Sequence, residues 1–221
     1  MKLQQDLHIL IVGLGVIGGG YARALSAKGY RISCITKEQK DIDYAMENGI
    51  GYFVVDSEDE LLALNEIARK KGITQKILLR ITPGIDTHTY EAVNTGKVDS
   101  KFGFPIETGA ALEITKIALS MANIDLAGFH CHVGSQLFDS DVFVRSAEIM
   151  LQFIADVKTE TGYEARELDL GGGYGVRYTE KDPEIDIEAN IRQVAEYVKK
   201  VCADLNIKEP AIRMEPGRSI V

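Results

Sequence analysis

The chain alternates regularly between strand-like and helix-like segments, and this alternation limits the folds it can adopt. Seven segments are short, apolar and rich in β-branched residues, which is typical of buried strands: 8–12, 31–36, 51–56, 76–82, 124–132, 167–170 and 211–215. Amphipathic stretches with apolar residues at helical spacing lie between them: 57–71, 108–121, 141–161 and 187–205. The repetition predicts parallel strands joined by right-handed crossovers, with the functional residues at the carboxyl ends of the strands.

The start of the helix predicted at 57–71 carries a local signal. Ser57 is followed three residues later by Glu60, which fits a capping box.

Composition narrows the class of protein. The 221 residues are 45% hydrophobic and 26% charged, enough for a substantial core in one α/β domain or two small ones. The net charge of -8, with no basic stretch, argues against nucleic acid or an anionic membrane as a partner. We therefore expect a soluble protein whose partners are small molecules.

The cysteines and the amino end bear on location. Cys34, Cys131 and Cys202 are odd in number and lack metal-ligand spacing, so we expect a reducing compartment and no metal site. The apolar run at 7–12 is too short to span a membrane and leads into glycines instead of a signal-peptide cleavage site. A cytoplasmic location is expected.

A glycine motif follows the first predicted strand and precedes a helical pattern. Its members are Gly13, Gly15 and Gly18. This context is the one that a dinucleotide-binding loop requires, although a turn that only packs a helix on a strand is the alternative. The second strand ends in Thr36-Lys37 where an NAD site would offer a carboxylate, which favours NADP or a degraded site. Residues 7–45 resemble the start of prephenate dehydrogenase, through Gly-Leu-Gly-x-Ile-Gly-Gly and a helix ending in Lys-Gly-Tyr.

Two motifs near the carboxyl end predict a ligand site. The segment 168–175 is an apolar run ending in three glycines, which is how a buried strand presents backbone N–H groups to an anion; a tight turn is the alternative. The segment 214–219 places Glu215 and Arg218 three residues apart at another strand end. Together they predict a seat for a phosphorylated heterocycle with a basic ring nitrogen.

From about residue 43 onward, six motifs stand in the order found in one enzyme family. They are Phe53-Val54-Val55-Asp56-Ser57, Leu79-Arg80-Ile81-Thr82-Pro83-Gly84-Ile85, Asp99-Ser100-Lys101-Phe102-Gly103, Gly128 to Gln136, Leu168 to Gly175 and Glu215-Pro216-Gly217-Arg218. On these motifs the chain resembles the diaminopimelate decarboxylases, alanine-racemase-like enzymes that bind pyridoxal 5'-phosphate in a TIM barrel. The resemblance implies that fold, that cofactor and a small amino acid or phosphate ligand.

The resemblance also assigns roles by position. His132 would stack on the cofactor ring and Glu215 would pair with the pyridine nitrogen, so these two are the predicted catalytic residues; the alternatives are a core histidine and a capping carboxylate. The other predicted cofactor-binding residues are Arg80, Ser135, Gly171, Gly172, Gly173, Gly217 and Arg218. For Arg80, a role as a plain salt-bridge residue is as well supported as a role in the cofactor site. We interpret His88 and His130 as structural or surface residues.

Two features of the family have no counterpart in this sequence. The family holds its cofactor by a Schiff-base bond to a lysine in a Tyr/Phe-x-x-Lys-Ala-Asn motif, which does not occur here, and the chain ends just after the eighth-strand motif. We therefore expect a chimera joined within 38–49, with a Rossmann-like segment at 1–45 and a barrel segment at 46–221 in one α/β domain, the barrel being incomplete or rebuilt.

Functional expectations follow from the same resemblance. We expect noncovalent binding of the cofactor, impaired conversion of meso-diaminopimelate to lysine, and a homodimer as the family's assembly. The alternatives are an inactive scaffold and an NAD- or NADP-binding module.

Overall fold

The computed structural model describes residues 8–12, 31–35, 39–85 and 102–220, with backbone alone at 8–12, 31–35, 39, 219 and 220. The chain divides into two compact units. The first comprises Met1–Leu79 and Ile117–Ala127, and the second comprises Arg80–Lys116 and Gly128–Val221.

The described residues form eight strands and five helices of more than one turn. The strands are β1 (His8–Val12), β2 (Arg31–Ile35), β3 (Tyr52–Val55), β4 (Gln75–Thr82), β5 (Phe104–Pro105), β6 (Ile124–His130), β7 (Glu167–Gly172) and β8 (Ala211–Glu215). The helices are α1 (Gln39–Glu47), α2 (Glu58–Lys71), α3 (Ala110–Ser120), α4 (Asp141–Thr161) and α5 (Ile187–Asp204), and a short 3-10 helix covers Gly217–Ile220.

The strands of the first unit are parallel and follow the order β1-β2-β3-β4-β6. Phe53, Val54 and Val55 of β3 pair with Ile77, Leu78 and Leu79 of β4. Val54, Leu78 and Ala127 are almost fully buried and pack together. These strands read as continuous apolar runs because parallel strands are covered on both faces.

Helix α2 begins and ends with recognisable caps. The Ser57 hydroxyl accepts the Glu60 N–H at 3.4 Å, as the capping-box prediction expects. The Glu60 carboxylate does not return to Ser57, however, and accepts the N–H of Asp56 at 2.8 Å, one residue earlier. Gly72 closes the helix in the left-handed conformation with φ +66°, and its N–H bonds to carbonyls of the last turn.

In the second unit β6, β7 and β8 are parallel neighbours. His130 pairs with Asp169, and Asp169 pairs with Arg213, so the three strands end close to one another. Between Asp169 and Gly172 the register shifts, because Gly172 pairs with Glu215. Strand β7 therefore uses one residue more than β8 over this stretch, as in a β-bulge.

Helices α4 and α5 pack against each other in the second unit. Helix α4 buries an apolar face that includes Phe153, whose ring meets Phe129 edge to face at a centroid distance of 5.0 Å. The Asp186 carboxylate caps α5 by accepting the Ala189 N–H at 2.9 Å. The packing of these helices fixes β6 and β7, the strands that lead into the site.

The predicted strands agree with the described ones to within a few residues at each end. The missed strand, β5, has two residues and is too short to give a periodic pattern. The predicted glycine loop of Gly13, Gly15 and Gly18 lies outside the described residues, as does His88. Within the described residues no helix is both long and apolar enough to cross a membrane. The boundary at residue 45 stays a prediction.

Candidate active site

Three ionisable side chains, two of them buried, meet where β6, β7 and β8 end. His130 is 1% exposed and Asp169 5% exposed, while the Glu215 side chain is 23% exposed. One ligand atom from each lies within 4.8 Å of the others, and His130 Nε2 is 3.8 Å from Glu215 Oε2. In the part of the chain that the structure describes, this is the group of His, Asp and Glu that could ligate a metal, so the expectation of no metal site stays a prediction.

The pKa values of the two carboxyl groups in this cluster are shifted in opposite directions. Burial raises the pKa of Asp169 to about 6, and the negative charge of Glu215 adds to the effect. Burial alone would also raise the pKa of Glu215, but the interaction with His130 and the charge of Arg80 outweigh it and hold the pKa below its usual value. Two neighbouring carboxyl groups with opposite shifts are an arrangement found where acid and base roles are divided.

His132 lies two residues beyond His130 and is held in the neutral form. Burial lowers the pKa of His132 to about 4, and the charges of His130 and Arg80 act in the same direction. The Gly172 N–H donates to His132 Nδ1 at 3.4 Å, so this nitrogen is the unprotonated one. The ring is thus a neutral, largely buried plane beside the glycine run.

The glycine run continues β7 into the site. The Gly171 N–H donates to Asp169 Oδ1 at 2.9 Å. Gly172 lies against β8 so closely that a Cβ there would overlap the Glu215 carbonyl. Gly173 has φ +92°, and a Cβ on it would overlap the Gly134 carbonyl. Because no side chain fits, the backbone of β7 is bare where it passes the loops after β6 and β8.

The loop after β6 carries Ser135 and is joined to the loop after β7. Leu137 N–H donates to Gly173 O at 2.9 Å, and Gly175 N–H donates to Leu137 O at 2.8 Å. The side chain of Gln136 forms two further hydrogen bonds to the backbone of Val176. Ser135 is half-buried between these anchored residues.

Arg80 enters the same unit from the end of β4. Its guanidinium lies over the Phe102 ring, 4.7 Å from the centroid. The charge of Arg80 is near enough to lower the pKa of His132 and to help hold down that of Glu215. Arg80 therefore acts on the site electrostatically.

Gly217 and Arg218 follow Glu215 in the short 3-10 helix, and both are exposed. The Arg218 side chain forms no hydrogen bond or ion pair with any described residue. The predicted phosphate role of Arg218 stays a prediction.

The structure gathers most of the predicted site residues at these strand ends and adds three that the sequence analysis did not assign. His132, Glu215 and the glycines of β7 lie together, with Arg80 nearby. The additions are Asp169, Gln136 and His130, the last of which is fully buried against Glu215 and not on the surface. The His-Cys-His spacing is a sequence signal for His130, since alternate residues of a strand share a face. For Asp169 the signal is its position as the one acidic residue within the apolar run 168–170.

Chemically, the arrangement can present an ionised carboxylate and a neutral imidazole to one ligand, next to a glycine run whose backbone a ligand can approach closely. A flat ligand with a cationic edge and an anionic tail matches these groups.

Comparison with curated proteins identifies similar sequences along nearly the whole chain. The chain is 37% identical to the diaminopimelate decarboxylase of Bacillus methanolicus over 215 residues, 95% of this chain and 50% of that protein. It is 38% identical to that of Halalkalibacterium halodurans over 225 residues, 100% of this chain and 51% of that protein. The chain thus spans about half the length of the curated relatives it matches.

Solved structures give the same result. The crystal structure of diaminopimelate decarboxylase from M. jannaschii superposes with a TM-score of 0.79 at 28% identity, covering 98% of this chain and 54% of that one. The enzyme from Helicobacter pylori complexed with L-lysine superposes with a TM-score of 0.79 at 29% identity, covering 98% and 52%. The parallel α/β arrangement is therefore that of the TIM-barrel type to which these neighbours belong, as the sequence resemblance implies.

These matches give no support to a chimera or to a prephenate dehydrogenase origin for residues 7–45. A single relative matches the chain on both sides of the expected junction at 38–49. A glycine-rich turn between a strand and a helix occurs in many α/β folds, so the motif alone is a weak guide to family.

The match to a protein family settles the classification. The model of the family described as "Pyridoxal-dependent decarboxylase, pyridoxal binding domain" matches residues 21–221, which include every described site residue discussed above. The chain therefore belongs to the pyridoxal-dependent decarboxylases and carries their pyridoxal binding domain.

Proposed function

We propose that the ends of β6, β7 and β8 form the seat of pyridoxal 5'-phosphate, with Glu215 as the partner of the pyridine nitrogen. One observation carries this proposal. Oε1 of Glu215 is buried and has no hydrogen-bond partner among the described residues, although the pKa of this carboxyl is held low. A buried charged oxygen without a donor is costly, and a protonated ring nitrogen would supply the missing donor.

Pyridoxal phosphate is the cofactor of this family, and the other residues of the site fit its remaining parts. The neutral ring of His132 offers a flat face for stacking. The Gly173 N–H, with the Ser135 hydroxyl, would bind the phosphate. Arg218 is exposed, and its contact with the phosphate stays a prediction.

When bound, the cofactor supplies an electron sink for the pair of electrons left on the substrate carbon as carbon dioxide departs. Glu215 would hold the proton on the ring nitrogen, because the surroundings of Glu215 favour its ionised form. His132, being neutral, would add no charge that competes with that proton. The buried side chains of His130 and Asp169 would keep water away from the inner edge of the ring.

For the protein of which this chain forms part, we propose decarboxylation of meso-diaminopimelate to lysine. The support is the similarity to diaminopimelate decarboxylases, among them a Helicobacter pylori enzyme complexed with L-lysine. The sequence contains no Tyr/Phe-x-x-Lys-Ala-Asn segment, so this chain is expected to bind the cofactor noncovalently and to turn over slowly if at all.

Titration of the chain with pyridoxal phosphate, followed by calorimetry, tests the proposed seat. Substituting Glu215→Gln removes the charge but keeps the shape, and it should weaken binding by roughly 10- to 100-fold, the worth of a charged buried hydrogen bond. Glu209→Gln, at an exposed glutamate of the same unit, is the matched control and should bind as the unaltered chain does. Equal affinities for the two variants, or no binding by the unaltered chain, would contradict the proposal.

Borohydride treatment of the loaded chain tests the mode of binding. A noncovalent complex should release its cofactor after the treatment and denaturation. A trapped adduct would show instead that a lysine of this chain bonds to the cofactor. Titrations with NADP and NAD test the alternative of a dinucleotide-binding module, which the absence of binding by both would remove.

A further inference from the structure

The loops after β6 and β7 run side by side as a short extension of the sheet. Leu137 and Tyr174 form an isolated parallel bridge, made by the Leu137 N–H to Gly173 O and the Gly175 N–H to Leu137 O. These two bonds, 2.9 Å and 2.8 Å long, belong to the backbone alone. They bring Ser135 on one loop and Gly173 on the other near the same place.

The side chain of Gln136 adds a second connection at this point. Gln136 Nε2 donates to Val176 O at 3.1 Å, and the Val176 N–H donates to Gln136 Oε1 at 3.0 Å. One amide thus occupies the donor and the acceptor of a single backbone residue on the neighbouring loop. Glutamine is suited to this because its side chain ends in one donor group and one acceptor group.

Gln136 makes these bonds from an uncommon backbone conformation. Its φ is +58°, in the left-handed region that a residue with a long side chain rarely adopts. Such strain persists only where the surroundings hold it in place. The left-handed turn and the paired amide bonds together fix the path of the loop directly after Ser135.

The two loops also leave little room to slide. Gly173 lies so close to the Gly134 carbonyl that even a methyl group would not fit. A small shift of one loop would therefore change the separation between the Ser135 hydroxyl and the Gly173 N–H. An anion bound by both loops depends on that separation.

We infer that Gln136 is a positioning residue for the phosphate subsite, fixing the loop that carries Ser135 against the loop that carries Gly173. The inference rests on the proposed function, since it concerns the phosphate end of the same seat. Gln136 needs no contact with the ligand for this role. Its influence should fall on the phosphate group and not on the pyridine ring.

The test uses Gln136→Asn and Gln136→Met in the full chain. Asparagine tolerates the left-handed conformation but is one methylene too short to reach Val176. Methionine keeps the length and lacks both hydrogen bonds. Gln152→Met is the matched control, because Gln152 also hydrogen-bonds through its side chain, to Asp156 at 3.0 Å, but on the exposed face of α4.

Dissociation constants are measured for pyridoxal phosphate, inorganic phosphate and pyridoxal, which lacks the phosphate. Both Gln136 variants should bind the first two about tenfold more weakly, as expected for the loss of two neutral hydrogen bonds, and should bind pyridoxal within about twofold of the unaltered chain. Hydrogen exchange at the Val176 N–H should be faster in both, whereas Gln152→Met should change neither quantity.

The possible outcomes separate the two proposals. If the unaltered chain binds pyridoxal phosphate and the Gln136 variants bind it equally well, or lose pyridoxal in the same proportion, the positioning role is wrong while the cofactor seat stands. If the unaltered chain binds none of the three ligands, the cofactor seat is wrong and the positioning role falls with it. Circular dichroism identifies a variant that has not folded, and the other variant then decides.

Discussion

Glu60 in the first unit and Glu215 in the second are glutamates near the ends of parallel strands, and their surroundings differ. Glu60 is 2% exposed, follows β3 and accepts the N–H of Asp56, four residues away in the chain. Glu215 ends β8, its Oε1 has no hydrogen-bond partner among the described residues, and its nearest ionisable neighbours come from other strands. The first carboxylate is bound by the backbone of its own chain segment, and the second lies among ionisable groups that come from several strands.

The difference shows how a binding site can be separated from ordinary structure. Buried polar atoms are nearly always satisfied, so an exception at the convergence of three strand ends needs a functional reason. Near β3, Glu60 Oε2 accepts a backbone N–H that is close in the sequence. At β6, β7 and β8 the chain brings ionisable side chains from distant parts of the sequence together around Glu215.

The largest effect should come from the backbone of the glycine run. Gly173→Ala should destabilise the fold by about 4 kcal/mol, because the new methyl group would overlap the Gly134 carbonyl and φ +92° disfavours any side chain. Gly72→Ala is the control in the first unit: φ there is +66°, but nothing lies within 4 Å, so about 1 kcal/mol is expected. Urea unfolding measures both. Equal losses would show that the crowding of the glycine run is unimportant.

A smaller effect should appear in the pH dependence of stability. The pKa of Asp169 is raised to about 6 in the folded chain, so the folded state holds this proton more tightly than the unfolded state. Its contribution, up to about 3 kcal/mol, is present below about pH 4 and is lost as the pH rises to 6. The stability difference between the unaltered chain and Asp169→Asn should decline over this interval in urea unfolding.

Asp182 provides a control of opposite sign for that experiment. The N–H groups of Thr179 and Tyr178 lower its pKa, so its contribution is present above about pH 4 and is lost as the pH falls. Asp182→Asn should therefore give a difference that grows with pH. The same slope in both variants would contradict the assignment to Asp169.

The third effect tests whether Glu60 is purely structural. Glu60→Ala should cost about 2 kcal/mol, because the buried N–H of Asp56 loses its acceptor, and it should leave the affinity for pyridoxal phosphate unchanged. Glu58→Ala, at an exposed position in the same first turn, should cost less than about 0.5 kcal/mol. A fall in cofactor affinity in Glu60→Ala would show that Glu60 is not purely structural and so does not differ from Glu215 in this way.

The smallest effect on stability should come from the helix caps, which test whether backbone N–H groups of the second unit are satisfied locally away from the strand ends. Asp186 caps α5 with a 2.9 Å bond to the Ala189 N–H, so Asp186→Ala should cost about 1 kcal/mol. Ser57→Ala should cost about 0.5 kcal/mol, because the corresponding bond is 3.4 Å long. Thermal unfolding of both variants makes the comparison, and a negligible effect of Asp186→Ala would indicate that the cap is not formed.

Much of the fold could be predicted because parallel strands and amphipathic helices leave periodic patterns in the sequence. The ends of α4, the strand β8 and the Ser57 bond all agree with those patterns. Glu215 and the glycines could be chosen for the site because their residue types suit the chemistry at strand ends.

Other parts depend on contacts between distant residues and could not be predicted in the same way. The bonds of Gln136 to Val176 join residues forty apart, and nothing near Gln136 in the sequence indicates them. The proximity of His130 to Glu215 requires the register of three strands. The chimera expectation fails for the opposite reason, because a local glycine pattern occurs in many α/β folds and does not specify a family.

The additional residue in β7 has a consequence for how this segment can change. Asp169 pairs with Arg213 and Gly172 with Glu215, so three steps on one strand match two on the other. Removing one glycine would bring a different backbone N–H opposite Glu215 and reverse the orientation of those that follow. Deletions at this point should therefore be tolerated less well than replacements, and the length of the run is constrained as firmly as its composition.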